Sequence, residues 1–105
     1  ADLVFDVRFL KNPYYVPELK YLTGSEQKVR DYVLSSPMAP IFLDKLEELL
    51  LFLIPGYIEE GKNQLVIAVG CTGGKHRSVT VAYELGKRLK NTEYGIKIDH
   101  RDISK

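Results

Sequence analysis

Apolar positions change their spacing along this chain, and each spacing predicts an element. Leu3 to Phe9 is rich in Val, Phe and Leu and reads as a strand. Asp6 and Arg8 stand two apart within it, so their side chains share a face. Lys11-Asn12-Pro13-Tyr14-Tyr15-Val16-Pro17 breaks the strand, because two prolines forbid regular structure. Thr23-Gly24-Ser25-Glu26 fits a capping box, with Thr23 as N-cap and Glu26 reaching back, and predicts a short helix from Ser25 to Leu34. Ser36-Pro37 and Pro40 signal the start of the next helix. There Phe42, Leu46, Leu49, Leu50 and Leu53 recur at helical spacing. Pro55-Gly56 is expected to disrupt it, with Tyr57 to Glu60 continuing after a kink.

Gly61-Lys62-Asn63 reads as a turn, and Leu65 to Val69 as a strand buried on both faces. Val79, Ala82, Tyr83, Gly86 and Leu89 form one face of a helix from Val79 to Leu89. Asn91 to Gly95 reads as a turn, and Ile96 to Asp99 as a short last strand. Strands joined through helices imply parallel pairing and right-handed crossovers. The expected fold is α/β: a small three-layer domain with a mostly parallel sheet flanked by helices. Ligands of such sheets bind beyond the carboxyl ends of the strands. Three segments are therefore expected to meet there: the Arg8–Tyr15 loop, the Cys71–Ser78 loop and His100-Arg101.

Composition narrows the class. At 105 residues the chain suits one domain and one core, spanning 1–105. A hydrophobic fraction of 45% with 28% charged residues is ordinary for a soluble globular protein, and a net charge of +1 gives no global pull toward nucleic acid or membrane. Charge is uneven, however. Asp44 to Glu60 holds five acids and one base, whereas Lys87 to Lys105 holds six bases and three acids. Cys71 is the sole cysteine, which excludes an internal disulfide and a Cys-rich metal cluster, and favours a reducing cytoplasmic setting. No signal peptide is visible, and the apolar run Leu49 to Ile54 is too short to span a bilayer. An opening on Ala1 followed at once by a strand looks like a domain cut from a longer protein.

The richest chemistry lies in Gly70-Cys71-Thr72-Gly73-Gly74-Lys75-His76-Arg77-Ser78. Strand, glycine-rich loop and helix N-terminus in that order converge backbone N–H groups on an anion. Lys75 and Arg77 add full charges with no acid between them. A Walker A loop fails twice here: only three residues separate Gly70 from Gly74, and His76 rather than Ser or Thr follows Lys75. Cys71 and Arg77 have the spacing of a cysteine phosphatase, in which a thiolate attacks phosphorus and Arg clamps the phosphoryl oxygens. A general acid is not identifiable, Asp99 and Asp102 being the candidates. A non-catalytic phosphate or phosphosugar sensor would use Thr72, Gly73, Gly74, His76 and Arg77. Packing alone would make Cys71 a small buried residue and pair Arg77 with Asp6 or Glu84. Two glycines, two cations, a His and a Thr in one turn favour function for the cluster.

Gly70 to Val79 resembles the most distinctive string of the RapZ (RNase adapter protein; YvcJ) family C-terminal domain. Asp6-Val7-Arg8-Phe9-Leu10-Lys11-Asn12-Pro13-Tyr14 is similar to that domain's opening motif, and Leu22-Thr23-Gly24 and His100-Arg101 also fit. The resemblance implies a fold like a sugar-phosphate-binding subdomain of phosphofructokinase. It implies a regulatory domain that is not itself an enzyme and senses glucosamine-6-phosphate. It implies binding of small RNA in control of amino-sugar and cell-envelope precursor synthesis, with regulatory protein partners, homo-oligomers and no membrane. The family's N-terminal P-loop ATPase/GTPase domain lies outside this sequence, so ATP or GTP is expected only there and no cofactor or metal here. By matching position the phosphosugar site comprises Thr72, Gly73, Gly74, His76 and Arg77, with Asp6, Arg8 and Tyr14 near it. Cys71 belongs to the motif without catalysis being implied.

Two departures weaken the RNA expectation. Tyr14 stands where the RNA-binding members have a His, and Tyr carries no positive charge at neutral pH. The end, Asp102-Ile103-Ser104-Lys105, is less basic than those members' tails. Lys87, Arg88, Lys90, Lys97 and Arg101 remain as a candidate RNA face.

Overall fold

A computed structural model describes residues 2–90 and 95–102. Strand β1 (Leu3–Asp6) leads through a 3₁₀ turn at Pro13–Tyr15 into helix α1 (Gln27–Leu34) and then the long helix α2 (Met38–Glu59). Strand β2 (Gln64–Cys71), helix α3 (Arg77–Arg88) and strand β3 (Gly95–Asp102) follow. The strands form one parallel sheet in the order β1-β2-β3, as the crossovers require. The α/β class and the parallel sheet agree with the sequence reading.

The layering is simpler than the three layers expected. Leu65, Ile67, Val69 and Cys71 alternate along β2 and share a face with Leu3 and Phe5 of β1 and Ile96 and Ile98 of β3. That face receives residues from all three helices, among them Val29 and Val33, Leu43, Leu46 and Leu50, and Val81 and Leu85. The two core clusters meet at Phe42 and Ile98. The other face carries Val4, Asp6, Lys97 and Arg101, and Val4 is 56% exposed. Helices therefore cover one side of the sheet, giving two layers.

Local chemistry explains where elements end. β1 stops at Asp6 rather than Phe9, because the Asp6 carboxylate accepts the Arg8 N–H at 2.9 Å and turns the chain. The capping box does not form. Thr23 Oγ1 instead accepts the Ser25 N–H at 3.2 Å, and α1 starts after Glu26 without a side-chain cap. The cause is Gly24, whose N–H donates to the Lys75 carbonyl at 2.9 Å. A Cβ there would lie 2.7 Å from the His76 oxygen, so residues 23–26 are held as a turn against the start of α3.

Helix α2 also corrects an expectation. It runs through Pro55 and Gly56 to Glu59. Pro55 and Leu51, the residue whose carbonyl Pro55 leaves without a helical donor, are both exposed, so water can satisfy that carbonyl. Pro40 sits in the first turn, where helical N–H groups need no partner. The turn expected at Asn91–Gly95 lies outside the described residues except for Gly95, and so do Ile103, Ser104 and Lys105 of the tail.

Candidate functional site

The carboxyl ends of β1 and β2 open on a cleft of about 380 Å³. Asn12, Tyr14 and Tyr15 line it from the loop after β1, and Thr72, Gly73, Lys75 and His76 from the loop after β2. Lys20 and Tyr21 complete the wall. No carboxylate lies among these lining residues.

The β2–α3 loop owes its shape to its glycines. Gly73 and Gly74 have φ of 86° and 62°, in the left-handed region that side chains avoid. Gly74 also presses against β3, where a Cβ would stand 2.7 Å from the Arg101 carbonyl carbon and the Asp102 nitrogen. His100-Arg101 thus backs the loop through β3 rather than lining the cleft. Cys71 is fully buried, and its Sγ accepts the Ser78 N–H at 3.3 Å. The Ser78 hydroxyl is 3.2 Å from the same sulfur.

His76 is buried with Nε2 3.1 Å from the Lys20 carbonyl oxygen. Burial pushes its ring below the ordinary imidazole pKa against opposing hydrogen bonds to the Leu22 and Lys20 backbone, and the Lys75 and Arg77 charges push the same way. The ring is therefore neutral near pH 7. It fixes segment 20–22 against the start of α3, where the Thr80 hydroxyl donates to the His76 carbonyl at 2.8 Å. Lys20 follows from that anchorage: its Nζ lies 4.5 Å from the Tyr14 ring centre and 5.4 Å from that of Tyr21. Lys75 also approaches Tyr21, with its Nζ 5.9 Å from the ring centre. Asn12 Oδ1 accepts the Tyr14 N–H at 3.1 Å and sets the turn that presents Tyr14 and Tyr15.

The sequence-derived site residues divide. Thr72, Gly73, His76 and Tyr14 meet in the cleft, and Gly74 supports it from behind. Arg77 does not line it. Its side chain is 5% exposed and its Nη1 donates to the Arg8 and Leu10 carbonyls, tying the loop after β1 to α3. The pairing of Arg77 with Asp6 or Glu84 is also not seen: Asp6 takes Arg8 through Nε at 3.0 Å and Nη2 at 2.7 Å, and Glu84 takes Lys87 at 3.4 Å. Hydrogen bonds from Arg8 hold the exposed Asp6 carboxyl below its usual range. With Cys71 buried and Arg77 turned to backbone carbonyls, the two cannot face one phosphoryl group. The phosphatase geometry is absent.

The candidate RNA residues form no single face. Arg88 bonds Asp44 at 2.7 Å and Glu47 at 3.1 Å, joining α3 to α2, while Lys87 pairs with Glu84. Lys90 is exposed just past α3. Lys97 and Arg101 lie on the helix-free side of the sheet. Sequence reasoning placed Lys75 in the charged loop, and Asn12 and Tyr15 in the Arg8–Tyr15 loop expected at this edge, without naming them in the ligand set, and it missed Lys20 and Tyr21 altogether. The signal available for these two was the cation–aromatic pair Lys20-Tyr21 just after Pro17.

Fold and cleft together define a small open α/β domain with a cationic, glycine-built cleft at the carboxyl edge of a parallel sheet. The chain belongs to the RapZ C-terminal domain family, which it matches over residues 1–104. Over its whole length it is 69% identical to a nucleotide-binding protein of Lachnoclostridium phytofermentans, of which it covers 37%. It is 60% identical to one of Agathobacter rectalis and 63% identical to one of Caldicellulosiruptor bescii, covering 36% of each. The chain thus spans about a third of the length of these curated relatives. Among the described residues no helix is long and apolar enough to cross a membrane.

Proposed function

We propose that this is a regulatory domain whose cleft takes a phosphorylated amino sugar of the glucosamine-6-phosphate kind. One observation carries the reading: the cleft offers Lys20, Lys75, the Thr72 hydroxyl and the positive-φ backbone of Gly73, with no carboxylate among its described lining residues. That set suits a phosphate, because two cations and loop amides compensate its charge. Tyr14 and Tyr21 supply flat faces and hydroxyls for a sugar ring. Neutral His76 leaves the phosphate to the lysines and acts as a hydrogen-bonding wall. Cleft volume is within the ordinary range for small-ligand sites.

In this reading the domain performs no catalysis and reports ligand level to the rest of a longer cytoplasmic protein. Nucleotide binding, the property for which the relatives are named, is assigned in this reading to their remaining length, since the loop here lacks Walker A spacing. Control of amino-sugar and envelope-precursor synthesis through small RNA or regulatory proteins is part of the same reading. For RNA, support comes from exposed Lys90, Lys97 and Arg101, and its affinity is expected to fall with salt.

Isothermal titration of glucosamine-6-phosphate, with glucosamine and inorganic phosphate as comparisons, tests the cleft. The expected result is binding of the phosphosugar that weakens at least about tenfold in Lys75→Ala, as loss of a charge-assisted contact implies. Equal affinity in wild type and Lys75→Ala, or no binding at all, overturns the assignment.

A further inference from the structure

The sheet has a face that no helix covers, and its topology gives the reason. The strands follow one another in the order β1-β2-β3, so two right-handed crossovers step the same way and put their helices on the same side. Neither connection can reach the other side. Yet all-parallel sheets occur almost only with both faces covered, and the run Leu65 to Val69 makes β2 apolar on both. Strand register lays the bare face out in three rows. Val66 lies between Lys97 and Asp2, whose N–H donates to the Val66 carbonyl at 2.8 Å. Ala68 lies between Val4 and Asp99, and Gly70 between Asp6 and Arg101. Side chains on the middle strand therefore shrink from Val to Ala to Gly toward the carboxyl edge. Ala68 is fully buried between its longer neighbours, whereas Val4 is exposed. The result is a tapering furrow with an apolar floor, deepest where Gly74 packs on the Arg101 backbone.

We propose that, in a protein as long as the relatives, this furrow docks an amphipathic helix supplied by the length of polypeptide outside these 105 residues. The chain spans about a third of those relatives, so a tethered source of the missing layer is at hand. A helix is the element that covers a parallel sheet. The small floor at Ala68 and Gly70 admits a large apolar side chain from it, and Val4 and Val66 extend the contact. Charge sets its orientation. Lys97 and Arg101 stand along one rim and have no ion-pair partner among the described residues, so the docked helix turns acids toward β3. Nucleic acid matches the furrow less well. Each of the three rows carries a carboxylate, Asp2, Asp99 and Asp6 in turn, which a phosphate backbone lying across the face would meet. A second copy also matches less well, because furrow against furrow leaves the floor unfilled.

Thiol labelling tests the proposal in two molecules: the 105-residue chain, and the same chain joined to the remaining length of the Lachnoclostridium relative. Melting temperature checks that each variant folds. A Val4→Cys thiol, read by mass spectrometry of its own peptide, should label at least about tenfold more slowly in the longer protein. Gln27→Cys, at an exposed position of α1 on the helix side, sets the unprotected rate in both. Val4→Arg should leave the melting of the short chain unchanged, since residue 4 is 56% exposed there. In the longer protein it should speed proteolytic separation of the two parts about tenfold or more. Equal labelling of Val4→Cys in the two molecules overturns the proposal. So does protection that appears in the short chain as its concentration rises, the mark of a second copy. Protection that appears in the longer protein only when RNA is added overturns it too.

Discussion

His76 Nε2 lies 3.1 Å from the Lys20 carbonyl oxygen, joining the second loop of the sheet edge to the strap that carries Lys20 and Tyr21 into the cleft. Burial keeps that ring neutral, with a pKa below its ordinary value. An unfolded His titrates near about 6.5. Stability contributed by the neutral ring is therefore complete above that pH and is lost as pH falls from there through the lower folded value. Thermal melts between pH 7.5 and 5 should show stability falling on acidification. His76→Gln should flatten that part of the profile, and an unchanged slope would count against the assignment.

Gly73 and Gly74 share a positive φ but not the same surroundings. At Gly73 a Cβ would meet nothing within 4 Å, whereas at Gly74 it would strike the β3 backbone. Gly73→Ala should cost only the left-handed strain, about 1–2 kcal/mol. Gly74→Ala should add the clash, for a total of about 3 kcal/mol or more. Denaturant midpoints for the two variants measure the difference. Equal losses would mean that β3 does not pack on the loop.

Arg77 holds the carbonyls of Arg8 and Leu10 from a buried position. Its removal should therefore unfold or loosen the domain rather than simply empty the cleft. Arg77→Met should lose about 2–3 kcal/mol, because the carbonyls lose a charged donor. Lys75→Ala, by contrast, should leave the denaturation curve within about 0.5 kcal/mol of wild type. Parallel denaturation curves separate these two roles.

Cys71 is fully buried, with its sulfur bonded to Ser78. Labelling by a thiol reagent should follow unfolding, so its rate should rise with denaturant and be negligible in the native protein. Fast labelling of the folded chain would put the sulfur in the open cleft and revive a chemical role for it.

Much of the fold was legible in the sequence because periodicity reports burial directly. The short continuous apolar run Leu65 to Val69 and the helical spacing of Leu46 and Leu50 identify elements through near neighbours along the chain. The glycine-rich loop was legible for the same reason, since its backbone shape and Thr72 and His76 are encoded within nine residues. By itself, then, the sequence determined an α/β chain with parallel strands and a glycine-rich loop at their carboxyl edge.

Tertiary structure decided what depends on contacts between distant residues. Nothing local says that Arg77 turns away from the cleft to the Arg8 and Leu10 carbonyls, or that Lys20 enters it on the strap fixed by His76. Nor could the capping box at Thr23 be known to yield to Gly24 packing on α3, or the helix to continue through Pro55, until the solvent side of each was fixed. Spacing along a chain sets which face a side chain takes on its own element. Only the assembled fold sets what that face meets, and with it which cations are spent on structure and which face the cleft.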